Sequence, residues 1–471
     1  MHSVEFILEN EVKTVDFENL SPTTTVLQYL RNLPGRKGTK EGCAEGDCGA
    51  CTVVLVEMEN GKLVYRAVNS CLLFLPALHG KMIITVEDLA DGNQLHPIQQ
   101  AIIDYHASQC GFCTPGIEMS LLALYKENPT PTKQDVEEAL AGNLCRCTGY
   151  RPIKDAGLSL SGKLTLDKFS QQEDLIKQKL SEIDKSQPLI IEHNGQKYLM
   201  PFTIEQALEL KKQYPDALVI NGSTDVALRV TKRKEKLPLI LDLENVEEIR
   251  YIKQDADNWI IGAGTKIQDL KNLFKDEIPE FGDYLAHFGA KQIRNRATLG
   301  GNIVTASPIG DVIPALFALK AKVRTKSLSG ERLIDINEFI TGYRTTALNQ
   351  DELVTEILIP KAQNTLKFYK ISKRDHLDIS TVSLSASLKV EQGKIEEIVL
   401  AYGGMAAQTK RAAQTEEFLT GKEFSLETFE KAGTMLEQDF SPIDDARSSA
   451  QARMIIAQNL LIRLFEDTQN I

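Results

Sequence analysis

Residues 41–53 read EGCAEGDCGACTV, which sets Cys43, Cys48 and Cys51 at C-x4-C-x2-C, and Cys71 follows after nineteen intervening residues. That is the plant-type spacing by which four thiolates hold a [2Fe–2S] cluster. Gly42, Gly46 and Gly49 lie among these cysteines. They let the backbone wrap closely and aim N–H groups at the cluster sulfurs, and such hydrogen bonds help set a reduction potential. A four-cysteine zinc site usually pairs two short knuckles, and this glycine-rich triplet matches that pattern poorly.

Four more cysteines follow, as Cys110-Gly-Phe-Cys113 and Cys145-Arg-Cys147, and none occurs after Cys147. On spacing alone this second set suits a cluster, a zinc ion or redox-active dithiols. Thr114-Pro115 starts a helix directly after Cys113, and a helix N-terminus favours a negative cluster. Two such centres side by side make a relay for single electrons. Disulfides are the weaker reading for a chain of this size that begins without an apolar export signal.

The 471 residues carry a formal charge of −11, so the chain lacks the general basic surface that nucleic acid or anionic membrane would need. No stretch reaches the ~18 apolar residues of a membrane span; Val312–Leu319, interrupted by Pro314 and bounded by Lys320, comes nearest. A cytoplasmic protein of several domains is expected.

The first part reads as β-rich. Ser3–Leu8 and Glu11–Phe17 form a hairpin around Glu9-Asn10, Thr23–Leu33 a helix, and Thr52–Met58, Lys62–Ala67 and Lys81–Val86 strands. From Pro97 the period becomes helical, through Ile98–Tyr105, Ile117–Tyr125 and a capping box at Thr132. Residues 161–195, rich in Lys, Gln, Ser and Asp, read as a linker with room for a surface helix. Strands and helices then alternate: Thr203–Gln213 helical, Leu218–Ile220, Leu239–Asp242 and Trp259–Gly262 extended, Ile267–Phe274 helical. After a break near Pro360 come strands around 382–390 and 395–402, and amphipathic helices to the end.

Two glycine turns in this half suit a dinucleotide. Val219-Ile220-Asn221-Gly222-Ser223-Thr224-Asp225 leaves a strand and enters a helix, with backbone N–H groups able to take a pyrophosphate. Thr298-Leu299-Gly300-Gly301-Asn302 is the second, with side-chain donors. Neither is G-x-G-x-x-G, so a Rossmann fold is not supported.

The strings EGCAEGDCGACTV, NSCL, QCGFCTPG and NLCRCTGYRPI resemble the iron–sulfur domains of the molybdenum hydroxylases. VINGSTDV and RNRATLGGNIVTASPIGDVIPAL resemble that family's FAD-binding motifs, and LAYGGMAAQTKRA with DARSSAQARMIIAQNLL resembles its C-terminal flavoprotein domain. The resemblance implies an α+β multidomain chain. Its parts would be a β-grasp [2Fe–2S] ferredoxin domain at 1–87, a four-helix-bundle [2Fe–2S] domain at 88–160 and a linker at 161–195. A two-part α+β FAD-binding domain of the vanillyl-alcohol-oxidase (PCMH) type would follow at 196–362, then a C-terminal α+β domain at 363–471. All eight cysteines would be cluster ligands. Val219, Ile220, Asn221, Gly222, Ser223, Thr224, Asp225 and Val226, with Thr298, Leu299, Gly300, Gly301 and Asn302, would embrace pyrophosphate and adenosine. Asp311 would hydrogen-bond the cofactor, and Phe288, otherwise a core aromatic, would lie against the isoalloxazine. Val354 joins the cofactor-binding set, Lys370 would sit by the flavin, and Asp378 near the nicotinamide of NAD.

Within the family the chain most resembles the small iron–sulfur/FAD subunit of the bacterial xanthine-oxidising branch. That implies a molybdopterin-binding large subunit as partner in an α2β2 assembly, with electrons passing through both clusters and FAD to NAD as hypoxanthine and xanthine become urate. No acid–base catalytic residue is expected here, because the substrate pocket belongs to the partner. The same architecture also serves aldehyde- or N-heterocycle-oxidising relatives. A stand-alone NADH-linked flavoprotein and a zinc-stabilised binding module are the remaining alternatives.

Overall fold

The computed structural model describes residues 3–163, 167–361 and 364–470. The expected domain boundary at 362/363 lies outside the described residues. Packing divides the chain into two units, one made of Met1–Leu210, Asp216–Val246 and Ala290–Ala297, the other of Lys211–Pro215, Glu247–Gly289 and Thr298–Ile471.

In the first unit, β1 (Ser3–Leu8) and β2 (Glu11–Asp16) form the expected hairpin. Glu9 and Asn10 both take positive φ, 58° and 61°, as a two-residue turn matching strand twist requires. Helix α1 (Val26–Asn32) starts later than the Thr23–Leu33 reading because Thr25 is its cap, in a reciprocal box with Gln28. Strands β3 (Thr52–Glu59), β4 (Lys62–Asn69) and β5 (Met82–Ile84) complete a sheet of order β2-β1-β5-β3-β4, in which only β1 and β5 run parallel. This is the β-grasp arrangement.

Both faces of this sheet are covered, which explains why Val53–Val56 is an unbroken apolar run. Val53 and Leu55 enter one core with α1, while Val54 and Val56 enter another. The second core also takes side chains from α2 (Pro97–Asp104), α3 (Thr114–Glu127), α4 (Lys133–Leu140) and α5 (Arg151–Ser159). These are the four helices expected of the second module. Two more, α6 (Lys168–Gln171) and α7 (Glu173–Glu182), fall in the stretch read as linker. They bury Phe169, Ile176 and Leu180 in the same core. Burial of such side chains stabilises by about 1.5–3 kcal/mol each, so the stretch is docked against β1 and β4.

A second sheet follows, from β6 (Leu189–His193), β7 (Gln196–Met200), α8 (Ile204–Gln213), β8 (Leu218–Ile220), α9 (Ala227–Thr231) and β9 (Leu239–Asp242). Its order is β6-β7-β9-β8, with β7, β9 and β8 parallel. Strand β6 opens inside the expected linker. Leu189, Ile191, Tyr198 and Ile240 share one apolar core with Val4, Phe6 and Leu55 of the β-grasp sheet.

The second unit holds an antiparallel five-stranded sheet with Asn258–Gly262, Leu353–Pro360 and Lys322–Ser327 at its centre. It also holds a four-stranded antiparallel sheet built on Val382–Glu391 and Lys394–Gly403. Helices Leu426–Asp439 and Ala450–Glu466 close the core of that second sheet through Phe429, Leu436, Leu460 and Leu461. Among the described residues no helix is long and apolar enough to cross a membrane.

Candidate metal centres and cofactor site

The loop 40–51 and the turn at Ser70–Leu72 bring the first four thiols together. Cys43 hydrogen-bonds Cys48, Cys51 hydrogen-bonds Cys71, and the Cys43 charge is felt at both members of the second pair. Main-chain N–H groups point at sulfur: Glu45 and Cys48 each donate to Cys43 Sγ at 3.4 Å, and Cys43 donates to Cys48 Sγ at 3.3 Å. The Cys48 side chain and these N–H groups bring the Cys43 thiol down to about 5. Bonds from Cys71 and Asn69 lower Cys51, whereas their partners Cys48 and Cys71 move upward. A side chain at Gly42 would place its Cβ 2.7 Å from Cys48 Sγ, so the loop closes on the thiols only with glycine there.

The second set converges in the same way, Cys110 with Cys147 and Cys113 with Cys145. Cys113 caps α3, and Pro115 follows in the first turn. Burial pushes its thiol up to about 12. Burial also acts on Cys145, but the Thr148 hydroxyl, 3.2 Å away, and backbone N–H groups hold that thiol below its ordinary value. Tyr150, in the left-handed region with φ 69°, accepts at its hydroxyl from the Cys145 N–H at 3.0 Å. Among the described residues no three His, Cys, Asp or Glu side chains converge as a single ion requires. The thiols stand in pairs, two pairs to a site, a donor set that suits two irons better than one zinc.

A polar seam joins the two sites. The Leu144 N–H donates to the Cys48 carbonyl at 3.0 Å, so one hydrogen bond separates the backbone of a first-site ligand from the residue before Cys145. Asn143 fixes it, donating to the Gly49 carbonyl (3.2 Å) and accepting from Ser120 (2.6 Å) and Gln292 (2.8 Å). Gly49 has φ 69°, and a Cβ there would sit 2.2 Å from the Gly142 carbonyl oxygen. Sequence reading missed Ser120, Asn143 and Gln292; the NLCRC string contains Asn143, but nothing local marks Gln292 as its partner.

The candidate flavin residues divide between the units. In the first, Val219 and Ile220 end β8, and Gly222 turns the chain toward α9, as expected. Its φ is 80°, and a Cβ would fall 1.9 Å from the Arg296 carbonyl oxygen. The Gly222 N–H, expected to serve a pyrophosphate, donates instead to Glu244 Oε2 at 3.1 Å. Glu244 is wholly buried and also binds Lys81 (3.0 Å) and Arg296 (2.7 Å). Ser223 donates its hydroxyl to the Leu72 carbonyl at 2.9 Å, next to ligand Cys71. Asn221, Thr224, Asp225 and Val226 complete this turn.

In the second unit, Thr298 caps the helix Leu299–Thr305 and accepts from the Gly301 N–H at 3.1 Å. The N–H groups of Leu299, Gly300 and Asn302 are taken by Thr265, Ala263 and Thr298 carbonyls, so the turn offers side chains rather than a backbone nest. Asn302 Oδ1 is buried without a hydrogen-bond partner. This orphaned acceptor in a glycine turn fits a polar ligand group. Val354 is buried on Leu353–Pro360, the strand against which this helix packs.

Asp311, Lys370 and the residue before Phe288 form one constellation. Lys370 Nζ donates to Asp311 Oδ2 at 2.7 Å and to the His287 carbonyl at 2.9 Å, and Ser380 donates to Asp311 Oδ1. Both Asp311 oxygens therefore already accept from the protein. Phe288 is half-buried. Asp378 pairs with Arg374, which holds its carboxyl below the usual range. Its loop reaches the 287–289 segment, where the His376 and His287 rings stack at 5.3 Å and the Leu377 N–H donates to Gly289.

Comparison with known proteins matches four family models. Residues 8–75 match a 2Fe-2S iron-sulfur cluster binding domain and 85–158 a [2Fe-2S] binding domain. Residues 192–362 match the FAD binding domain in molybdopterin dehydrogenase, and 367–468 the CO dehydrogenase flavoprotein C-terminal domain. The chain is 35% identical to xanthine dehydrogenase of Emericella nidulans, over 93% of this chain and 36% of that one. It is 32% identical to xanthine dehydrogenase/oxidase of Mus musculus, over 92% and 36%. It thus spans about a third of the length of these curated relatives. Carbon monoxide dehydrogenase of Hydrogenophaga pseudoflava shares the fold with TM-score 0.54 and 24% identity, over 56% of this chain and 94% of that one. Quinoline 2-oxidoreductase of Pseudomonas putida does so with TM-score 0.54 and 23% identity, over 59% and 98%. The chain belongs to the molybdenum hydroxylase family, of which it carries the iron–sulfur and FAD-binding modules.

Proposed function

We propose that this chain is the electron-transfer small subunit of an NAD-dependent xanthine dehydrogenase, working in the cytoplasm with a molybdopterin-binding large subunit in an α2β2 assembly. The observation that carries the electron-transfer part is the pair of four-thiol sites joined through Cys48 and Leu144. The xanthine assignment is supported by relatives bearing that name over nearly all of this chain. When bound, the clusters would carry single electrons, and FAD would collect them for hydride delivery to NAD.

The chain's own residues have separable tasks in this reading. Cys43, Cys48, Cys51 and Cys71 hold one cluster, and Cys110, Cys113, Cys145 and Cys147 hold the other. Val219–Val226 and Thr298–Asn302 bind the FAD pyrophosphate and adenosine. Phe288, Asp311, Val354 and Lys370 serve the flavin end, and Asp378 faces the nicotinamide. The exposed partner-facing cluster is the second, since Cys110 and Cys147 are open to solvent and Phe112, Leu144 and Tyr150 beside them are exposed apolar side chains. The modules are proposed to run 1–87, 88–160, 196–362 and 363–471.

The test is anaerobic addition of xanthine to the native complex. Bleaching of cluster and flavin absorbance, followed by NADH formation when NAD is added, is the expected result. Bleaching by an aldehyde or an N-heterocycle but not by xanthine would transfer the assignment to another molybdenum hydroxylase.

A further inference from the structure

One buried acid has no part in the scheme above. Glu118 lies on α3 five residues beyond Cys113, about 7.5 Å along the helix at 1.5 Å per residue. It is 5% exposed, and its Oε2 is buried with no hydrogen-bond partner. The Gln99 side chain of α2 hydrogen-bonds the carboxyl, and Lys40, near the start of the first cluster loop, acts on it electrostatically. The acids on the other elements packed against α3 are engaged elsewhere. Glu57 pairs with Lys81, Glu59 with Arg66, Asp88 with Arg36, Glu137 with Lys154 and Glu138 with Arg294. Glu87 accepts from the Gly38 N–H, Asp104 from Gln100 and Asp135 from Thr132.

Burial is the largest influence on this carboxyl and raises it to about 7, against the lowering effects of Gln99 and Lys40. Glu118 is therefore poised between its two forms near neutral pH. A cluster becomes more negative by one charge when reduced. At about 10 Å and an effective dielectric near 20, one unit charge shifts a neighbouring proton equilibrium by about tenfold. A carboxylate within that range of a cluster opposes its reduction, and protonating it removes the opposition.

We propose that Glu118 is a redox-linked proton site, at which one electron entering the helical-module cluster is accompanied by one proton binding the Glu118 carboxylate. The inference rests on the reading that Cys110, Cys113, Cys145 and Cys147 hold a [2Fe–2S] cluster. The electron comes from a one-electron donor, the proton from water by way of part-exposed Gln99, and only the carboxyl O–H bond forms. On reoxidation the proton leaves again.

The experiment is an EPR-monitored redox titration of the full chain from about pH 6 to about pH 9, with dithionite as reductant. The helical-module cluster should show a higher potential at the acid end. The difference is about 59 mV for each tenfold strengthening of proton binding on reduction. Glu118→Gln should give a potential independent of pH, near the acid-end value of the wild type. Reduced-minus-oxidised infrared spectra of the wild type should show a protonated-carboxyl band, a readout that holds even if the variant fails to assemble. A wild-type cluster with a flat potential and no such band overturns this proposal alone, as does a Glu118→Gln variant that keeps the slope. Protein without iron in that site overturns the cluster reading and this proposal together.

Discussion

The two thiol sites have the same number of cysteines and share a seam, yet they are built into the molecule differently. Cys51 and Cys71, each 2% exposed, belong to the apolar core common to the β-grasp sheet and the β6–β9 sheet. Cys110 and Cys147 stand open at the surface, and only the Cys113–Cys145 half of their site reaches the interior. A ligand inside a core ties its cluster to folding. A ligand at the surface leaves a cluster edge through which charge can enter. On the proposed reading, one site is a fixed internal station and the other a contact point.

The sharpest way to break this contrast is to remove one ligand from each site. Cys71→Ser should lose the first cluster and also unsettle the fold, since it puts a polar hydroxyl into an apolar core at a cost of about 1–3 kcal/mol. Cys147→Ser should lose only the second cluster and leave the melting transition nearly unmoved. Iron content, EPR and thermal unfolding measured on both variants separate the cases. Equal destabilisation by the two would erase the distinction.

A smaller effect is expected at the surface beside the exposed site. Phe112→Asp puts a charge on an apolar side chain that is 46% exposed. It should weaken capture of the proposed molybdopterin subunit by about tenfold or more, on the scale of losing an aromatic interface anchor, with both EPR signals retained. Unchanged co-purification would remove this face from the interface. Smaller again is the seam. Asn143→Ala takes the acceptor away from the buried Ser120 hydroxyl and from one Gln292 N–H, while the Gly49 carbonyl keeps the Thr52 N–H and hydroxyl, a loss of about 1–3 kcal/mol visible in denaturant unfolding. Electron equilibration between the clusters should slow while both potentials hold. An unaltered rate would mean that the Cys48–Leu144 hydrogen bond does not need Asn143.

Much of this is legible in the residues, and the limits have physical causes. The Glu9-Asn10 turn, the capping box at Thr132 and the cysteine spacings are local signals, and the structure carries the first two. The stretch 161–195 misleads because its composition is polar, whereas a few well-spaced apolar residues (Phe169, Ile176 and Leu180) dock it. Composition averages over such residues; packing does not. The use of the Gly222 N–H by Glu244, and of Asn143 by Gln292, joins segments far apart in sequence. No local pattern announces a buried polar partner of that kind. The proposed flavin residues come from family motifs, and what the structure adds at Gly222 and Gly300 is close packing against Arg296 and Ala263 that leaves no room for a Cβ.

The most direct measurement is metal analysis of anaerobically isolated chain together with spin quantification after dithionite reduction. About four irons, four acid-labile sulfides and two distinct EPR signals per chain are the result expected from two [2Fe–2S] sites. Zinc in place of iron, or a single signal from about two irons, would contradict the account.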